Sequence, residues 1–208
     1  MKKYDNSSIS ALKGADRVRK RPAVIFGSDG VEGCEHSMFE ILSNSIDEAR
    51  EGFGSTITVT RYADMSIEVE DFGRGIPVDY NEKEKRYNWE LVFCELYAGG
   101  KYNNNDGGDY EYSLGLNGLG ACATQYSSEY MDVEILRDGF KFNLHFEHGK
   151  NVGGLEKIEF RHRHTGTKIH WKPDLKVFTS IDIPVENYHS VLKRQAVVNS
   201  GVKFIFKN

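Results

Sequence analysis

An α+β fold built on a mostly antiparallel sheet is predicted, and three observations predict it. Strand-like stretches come in runs: a pair at residues 56–61 and 66–70, four in succession between 131 and 171, and a last one at 202–206. Helical stretches stand apart from these, at 35–52, 89–98, 121–127 and 185–198. With 208 residues, 39% of them hydrophobic, the chain suffices for one domain with a sizeable core.

Each element has its own local signal. Residues 1–15 begin with a polar, aperiodic stretch, Tyr4-Asp5-Asn6-Ser7-Ser8, which reads as an arm. The basic run from Asp16 to Pro22 could touch a phosphate backbone, but its short length reads as a solvated helix end. The helix at 35–52 stops at Gly52 and Gly54. Alternating strands follow, with Ala63-Asp64-Met65 as the turn between them. After the helix at 89–98, residues 99–112 form a loop with little apolar content; such loops are functional lids or disordered segments. The helix at 121–127 precedes strands at 131–136, 140–146, 155–161 and 167–171, and the helix at 185–198 precedes the last strand. The chain stops almost on that strand, so it is expected to be a fragment.

Composition removes several function classes. No apolar run approaches the roughly 18 residues of a membrane span, and the N-terminus lacks a signal-peptide core. Three scattered cysteines (Cys34, Cys94, Cys122) form no CxxC pair, which suits free thiols in the cytoplasm. A net charge of −4 makes this segment alone a poor general nucleic-acid binder. No G-x-x-x-x-G-K-[ST] stretch occurs, so phosphate binding must be built without a P-loop.

The helix at 35–52 carries one acidic face. At 3.6 residues per turn, Glu40, Asn44, Asp47 and Glu48 fall within an arc of about 100°, opposite Met38, Phe39, Leu42, Ile46, Ala49 and Phe53. Solvated carboxylates are the simpler account. Against it, asparagine is a poor mid-helix residue, and three acids without basic i,i+4 partners repel unless a cation joins them. An amide oxygen beside phosphate oxygens suits Mg²⁺, which takes few protein ligands.

Two glycine clusters follow. Asp71-Phe72-Gly73-Arg74-Gly75-Ile76-Pro77 turns the chain directly after a strand. Its carboxylate can only accept, so it can accept from an exocyclic amine such as adenine N6. Gly73 and Gly75 let backbone approach a flat ring, and Ile76 can cover one face of it; alone, the stretch also reads as a plain turn. The second cluster, Gly115-Leu116-Asn117-Gly118-Leu119-Gly120, opens a helix whose N–H groups can face phosphates. It closes the segment 99–120, in which Lys101 offers a point charge.

In this order the motifs resemble the ATPase domain shared by the B subunit of DNA gyrase, topoisomerase IV, MutL, the 90-kDa heat-shock chaperones and the histidine kinases. The topoisomerase members are most similar, over essentially the whole chain. Tyr4 to Ile9, Leu12-Lys13-Gly14, Val18 to Pro22, Asn44 to Ala49, Asp71 to Pro77, Ala98 to Lys101, Thr165-Gly166-Thr167 and Asn199 to Val202 carry the resemblance. It implies a two-layer α/β sandwich, a Bergerat-type ATP-binding fold with a mixed, mostly antiparallel sheet of about eight strands and helices on one face. Residues 1–208 would be a single ATPase domain, with transducer and DNA-cleavage domains lying beyond it.

The resemblance also implies roles. Glu40 would be the general base, Asn44 the Mg²⁺ ligand, and Asp71 with Thr167 the adenine reader. Asp47 would lie near adenine and ribose, Glu48 would pair with Arg74 at the rim beside Gly75, Ile76 and Pro77, and Lys101, Tyr110 and residues 115–120 would hold the nucleotide. Arg137 would stand at the pocket mouth, where aminocoumarin-type inhibitors bind. Implied partners are ATP, an A-type gyrase protein, DNA through the absent domains, and a second copy reached by the arm with Tyr4. Two positions depart from the family pattern: Asn117 stands where histidine is usual, and Ile25 where tyrosine is usual. The alternatives are a topoisomerase IV subunit in place of a gyrase one, a non-catalytic nucleotide-binding regulatory or interaction module of the same fold, and a histidine kinase, the last disfavoured because no upstream phospho-acceptor helix is seen. The histidines at 145, 148, 162, 164 and 170 lie on alternating strands without cysteine partners, so a metal site is not expected there.

Overall fold

The computed structural model describes residues 11–98, 118–161 and 163–208. Two short helices, α1 (Asp16–Arg19) and α2 (Pro22–Phe26), lead into the long helix α3 (Val31–Arg50). The hairpin β1 (Thr56–Arg61) and β2 (Ile67–Asp71) follows, then a small ribbon, β3 (Tyr80–Asn81) with β4 (Arg86–Tyr87), and helix α4 (Asn88–Cys94). The second half comprises α5 (Gly120–Tyr126), β5 (Ser128–Arg137), β6 (Phe140–Glu147), β7 (Lys150–Glu159), β8 (Gly166–Pro173), α6 (Val185–Val198) and β9 (Lys203–Lys207).

Seven described strands form the main sheet in the order β7-β6-β5-β8-β2-β1-β9, close to the eight or so expected. Every pairing is antiparallel except β1 with β9, so the sheet is mixed. Period-two alternation gives it one apolar face. Met131, Val133 and Ile135 of β5, Phe142, Leu144 and Phe146 of β6, and Ile169 and Trp171 of β8 are buried on it. Helix α3 lays Met38, Leu42 and Ile46 on this face, and α5 packs beside α3. The intervening residues, among them Glu68, Asp132, Glu134, His145 and Lys168, line an open depression of about 750 Å³ on the other face.

Local details differ from the sequence reading for identifiable reasons. Helix α3 starts at Val31, four residues early, because Gly33 lets it pass so close to the Ser28 carbonyl that a Cβ would collide with it. Helix α4 ends at Cys94 rather than near 98, since Glu95 is extended and Tyr97 turns at φ +65°. Strand β7 begins at Lys150, ahead of a Gly153-Gly154 irregularity in which both residues have positive φ. Phe53, expected on the packed stripe of α3, lies past the helix end and is 42% exposed. All three cysteines are free thiols, two of them buried.

The basic run is a helix end solvated only in part: Arg17, Lys20 and Arg21 are exposed, but two neighbours are not. Val18 is fully buried, and Arg19 donates to the carbonyls of Tyr126 (3.0 Å) and Ser128 (3.3 Å) and pairs with buried Asp174. His148 Nδ1 meets the same Asp174 oxygen at 3.0 Å. One carboxylate thereby ties α1 to the β6–β7 turn and to the chain leaving β8.

Candidate functional site

Helix α3 crosses the apolar face so that its acidic stripe borders the end of β2. Asp47 is buried and Glu40, Asn44 and Glu48 are half-buried, so these side chains do not simply face water. Glu40 has an i−4 partner: His36 Nε2 lies 3.2 Å from its Oε1. The other ring nitrogen, Nδ1, lies 3.1 Å from the Phe26 carbonyl, an acceptor that only an N–H can satisfy. Both nitrogens therefore face oxygen, an arrangement that suits the imidazolium, and the bond to Glu40 raises the His36 pKa despite some burial. On Glu40's other side stands Gly120, the first residue of α5; a Cβ there would collide with Glu40 Oε2. Asn44, one turn beyond Glu40, has no side-chain hydrogen bond among the described residues.

Asp71 ends β2 and is buried. Three donors fix its carboxylate: Ser45 Oγ on Oδ2 at 2.7 Å, and the backbone N–H groups of Gly73 (2.9 Å) and Thr167 (3.3 Å) on Oδ1. Burial nevertheless pushes its pKa up, outweighing these donors, with Glu48 adding to the rise. Thr167, at the start of β8, also accepts the Ile76 N–H at 3.2 Å, and Thr165 Oγ1 donates to the Gly73 carbonyl at 2.6 Å. Asp71 and Thr167, 96 residues apart in number, thus belong to one unit, because β2 pairs with β8. Gly166 completes it: a Cβ there would run into the Asp71 carbonyl.

At the rim, Arg74 Nη2 and Nε bond Glu48 at 2.8 and 3.0 Å, the pairing that the resemblance implied. Gly75 adopts φ +76°, and its Cβ would come within 2.9 Å of the Leu136 carbonyl. Its own carbonyl accepts from Arg137 Nη1 at 2.8 Å, which brings Arg137 to the turn. Pro77 is exposed, Ile76 is partly buried against the core, and Gly118 and Leu119 lead into α5. Tyr4, Lys101, Tyr110, Gly115, Leu116 and Asn117 lie outside the described residues, whereas Ile25 is partly buried against the core.

Two side chains went unread in the sequence: His36, recoverable from its i,i+4 spacing to Glu40, and Ser45, whose partner is 26 residues away. Of the other described histidines, His145 bonds Asp132 and Glu147, His170 bonds Ser66, and the His164 ring packs edge-on against Phe72 of the turn. No group of three metal-ligating side chains occurs among the described residues.

Many known proteins are similar to this chain in sequence or in fold. The DNA gyrase B subunit of Thermotoga maritima is 38% identical over 208 residues, all of this chain and 32% of that protein. Its counterpart from Halalkalibacterium halodurans is 41% identical over 201 residues, 96% of this chain and 31% of that protein. The solved topoisomerase IV ATP-binding domain of Francisella tularensis, in complex with a small-molecule inhibitor, is similar at a TM-score of 0.77 and 33% identity. That likeness covers 94% of this chain and 51% of the other. No family model matches. The chain spans about a third of the length of its gyrase relatives. Throughout its length, then, the chain is similar to a part of the DNA gyrase B subunit and, in fold and sequence, to the ATP-binding domain of a topoisomerase IV.

Proposed function

We propose that the chain binds ATP with Mg²⁺ and serves as the ATPase domain of a type IIA DNA topoisomerase. The observation that supports this best is the Asp71 carboxylate: three protein donors fix its plane, and its remaining acceptor capacity suits an exocyclic amine. Adenine N6 is such a donor, and a charge-assisted bond of this kind contributes roughly 1.5–3 kcal/mol. Thr167 shares in the reading through its N–H on Asp71, while Ile76 and Pro77 border the ring.

Glu40 acts as the general base for water attacking the γ-phosphate. Its carboxylate is bonded by His36 on one side and abutted by Gly120 on the other, which limits the orientations open to it. Asn44 is a hard oxygen donor on the same helical face without another partner among the described residues, so it fits Mg²⁺. When bound, the ion neutralises phosphate charge. Asp47 faces adenine and ribose, and Lys101, Tyr110 and residues 115–120 hold the nucleotide.

In the parent protein, ATP would close a homodimer through the arm bearing Tyr4, with an A-type gyrase partner and DNA engaged through further domains. Such a protein would work in the cytoplasm, where it meets DNA. No described helix is long and apolar enough to cross a membrane. Arg137 offers an anchor for aminocoumarin-type inhibitors.

Calorimetric titration of the chain with a non-hydrolysable ATP analogue and Mg²⁺ tests the reading. Saturable binding that Asp71→Asn weakens at least tenfold is expected. Absence of binding, or binding indifferent to Asp71→Asn, would sink it.

A further inference from the structure

Arg74 is held by more than its expected partner. Helix α3 ends in a Schellman motif: the Phe53 N–H donates to the Glu48 carbonyl at 3.0 Å and the Gly52 N–H to the Ala49 carbonyl at 3.1 Å, with Gly52 at φ +87°. This reversal carries Glu51 and Phe53 back over the Asp71 turn. Glu51 Oε2 pairs with Arg74 Nη2, and the Phe53 ring lies under the guanidinium carbon at 4.1 Å. Gly54, at φ +78°, sits so close that a Cβ would lie 2.7 Å from the Phe72 carbonyl group. Glu48, then Glu51, hold the guanidinium charged, with a pKa above the ordinary arginine value.

The contacts continue inward. Arg74 grips the Glu48 carboxylate through its backbone N–H (3.1 Å) as well as its side chain. The Glu48 stem fills the open side of Gly73, where a Cβ would stand 2.9 Å from Glu48 Cβ. Gly73 in turn donates one of the N–H groups that orient Asp71. From these contacts we infer that Glu51 and Phe53 are positioning residues for purine recognition. By clasping Arg74 they fix Glu48 against Gly73, and so fix the plane in which Asp71 accepts from the base. Neither residue need touch nucleotide. The inference rests on the nucleotide-site reading above.

The test measures binding of two nucleotides to the 208-residue chain: a non-hydrolysable ATP analogue with Mg²⁺, and its inosine counterpart, which lacks the amine. Glu51→Gln and Phe53→Leu are each expected to weaken the ATP analogue about three- to tenfold and to shrink its preference over the inosine nucleotide. Phe53→Trp, which keeps an aromatic face under Arg74, should retain both affinity and preference. Equal weakening of both nucleotides, or an unchanged ratio in the Leu and Gln variants, would overturn the inference while leaving the nucleotide site standing. If the unsubstituted chain binds neither nucleotide, the site reading falls, and this inference with it. Thermal melts of each variant separate lost positioning from lost folding.

Discussion

His36 and Glu40, one turn apart on α3, are joined through Nε2 and Oε1 at 3.2 Å, while the far side of the imidazole is held by the Phe26 carbonyl. The ring is thus bonded at both ends, and the carboxylate it holds is the one beside the start of α5.

This pairing predicts a titration. The His36 pKa is raised in the folded chain, chiefly by its bond to Glu40. The associated stabilisation is fully present below the ordinary histidine value of roughly 6.5 and is lost as pH rises through the raised value. NMR titration of the His36 ring should give a midpoint above that of a free histidine, and Glu40→Gln should bring it down. A midpoint unmoved by Glu40→Gln would show that the bond does not set the charge of the ring.

Glu40→Ala should separate binding from turnover. The carboxylate is half-buried and packs no core, so the variant should fold and bind the ATP analogue within about threefold of the unsubstituted chain. Steady-state ATPase of the chain should fall by about a hundredfold or more, the range for a lost general base. A residual rate equal to that of the unsubstituted chain would instead favour a non-catalytic nucleotide-binding module.

Gly166→Ala strikes the site through backbone. The new methyl would meet the Asp71 carbonyl and lie 3.2 Å from Phe72 Cα, and neither can swing aside as a side chain would. A loss of about 1–3 kcal/mol or more is expected in denaturant unfolding, with weaker nucleotide binding because β2 must shift where Asp71 stands. Unchanged stability and affinity would refute the close approach of the two strands.

Asp174→Asn tests the knot beneath the arm. Burial alone would push this carboxyl up, but Arg19, with the Lys176 N–H and His148, holds its pKa below the usual carboxylate value. The stability it contributes is present above roughly pH 4 and is lost as pH falls through the depressed pKa. Removing the charge leaves Arg19 uncompensated inside the fold, so denaturation at neutral pH should show a loss of about 3–5 kcal/mol. Stability of the variant should also depend less on acid than that of the unsubstituted chain.

Much of this architecture was legible along the chain because it depends on short periods. Alternation marked the strands of the sheet, the 3.6-residue period placed Glu40, Asn44, Asp47 and Glu48 on one face of α3, and Gly52 marked its end. The errors fell where one residue's neighbours are distant. Nothing near Gly33 says that a helix must pass Ser28 closely, and nothing near Arg19 says that a carboxylate 155 residues away will bury it. Phe53 fitted an apolar stripe by periodicity, but the helix ended first and its ring turned to Arg74.

By itself, then, the sequence determined the element types, the acidic face and the acceptor-only chemistry of Asp71, since each follows from residue type and local spacing. Only the tertiary structure decided that Ser45, Gly73 and Thr167 orient one carboxylate and that Glu51 and Phe53 clasp Arg74. It also placed Gly120 against Glu40. Those relationships arise from strand pairing and from the path of α3 over the sheet, where contact is set by packing in space and separation along the chain carries no information.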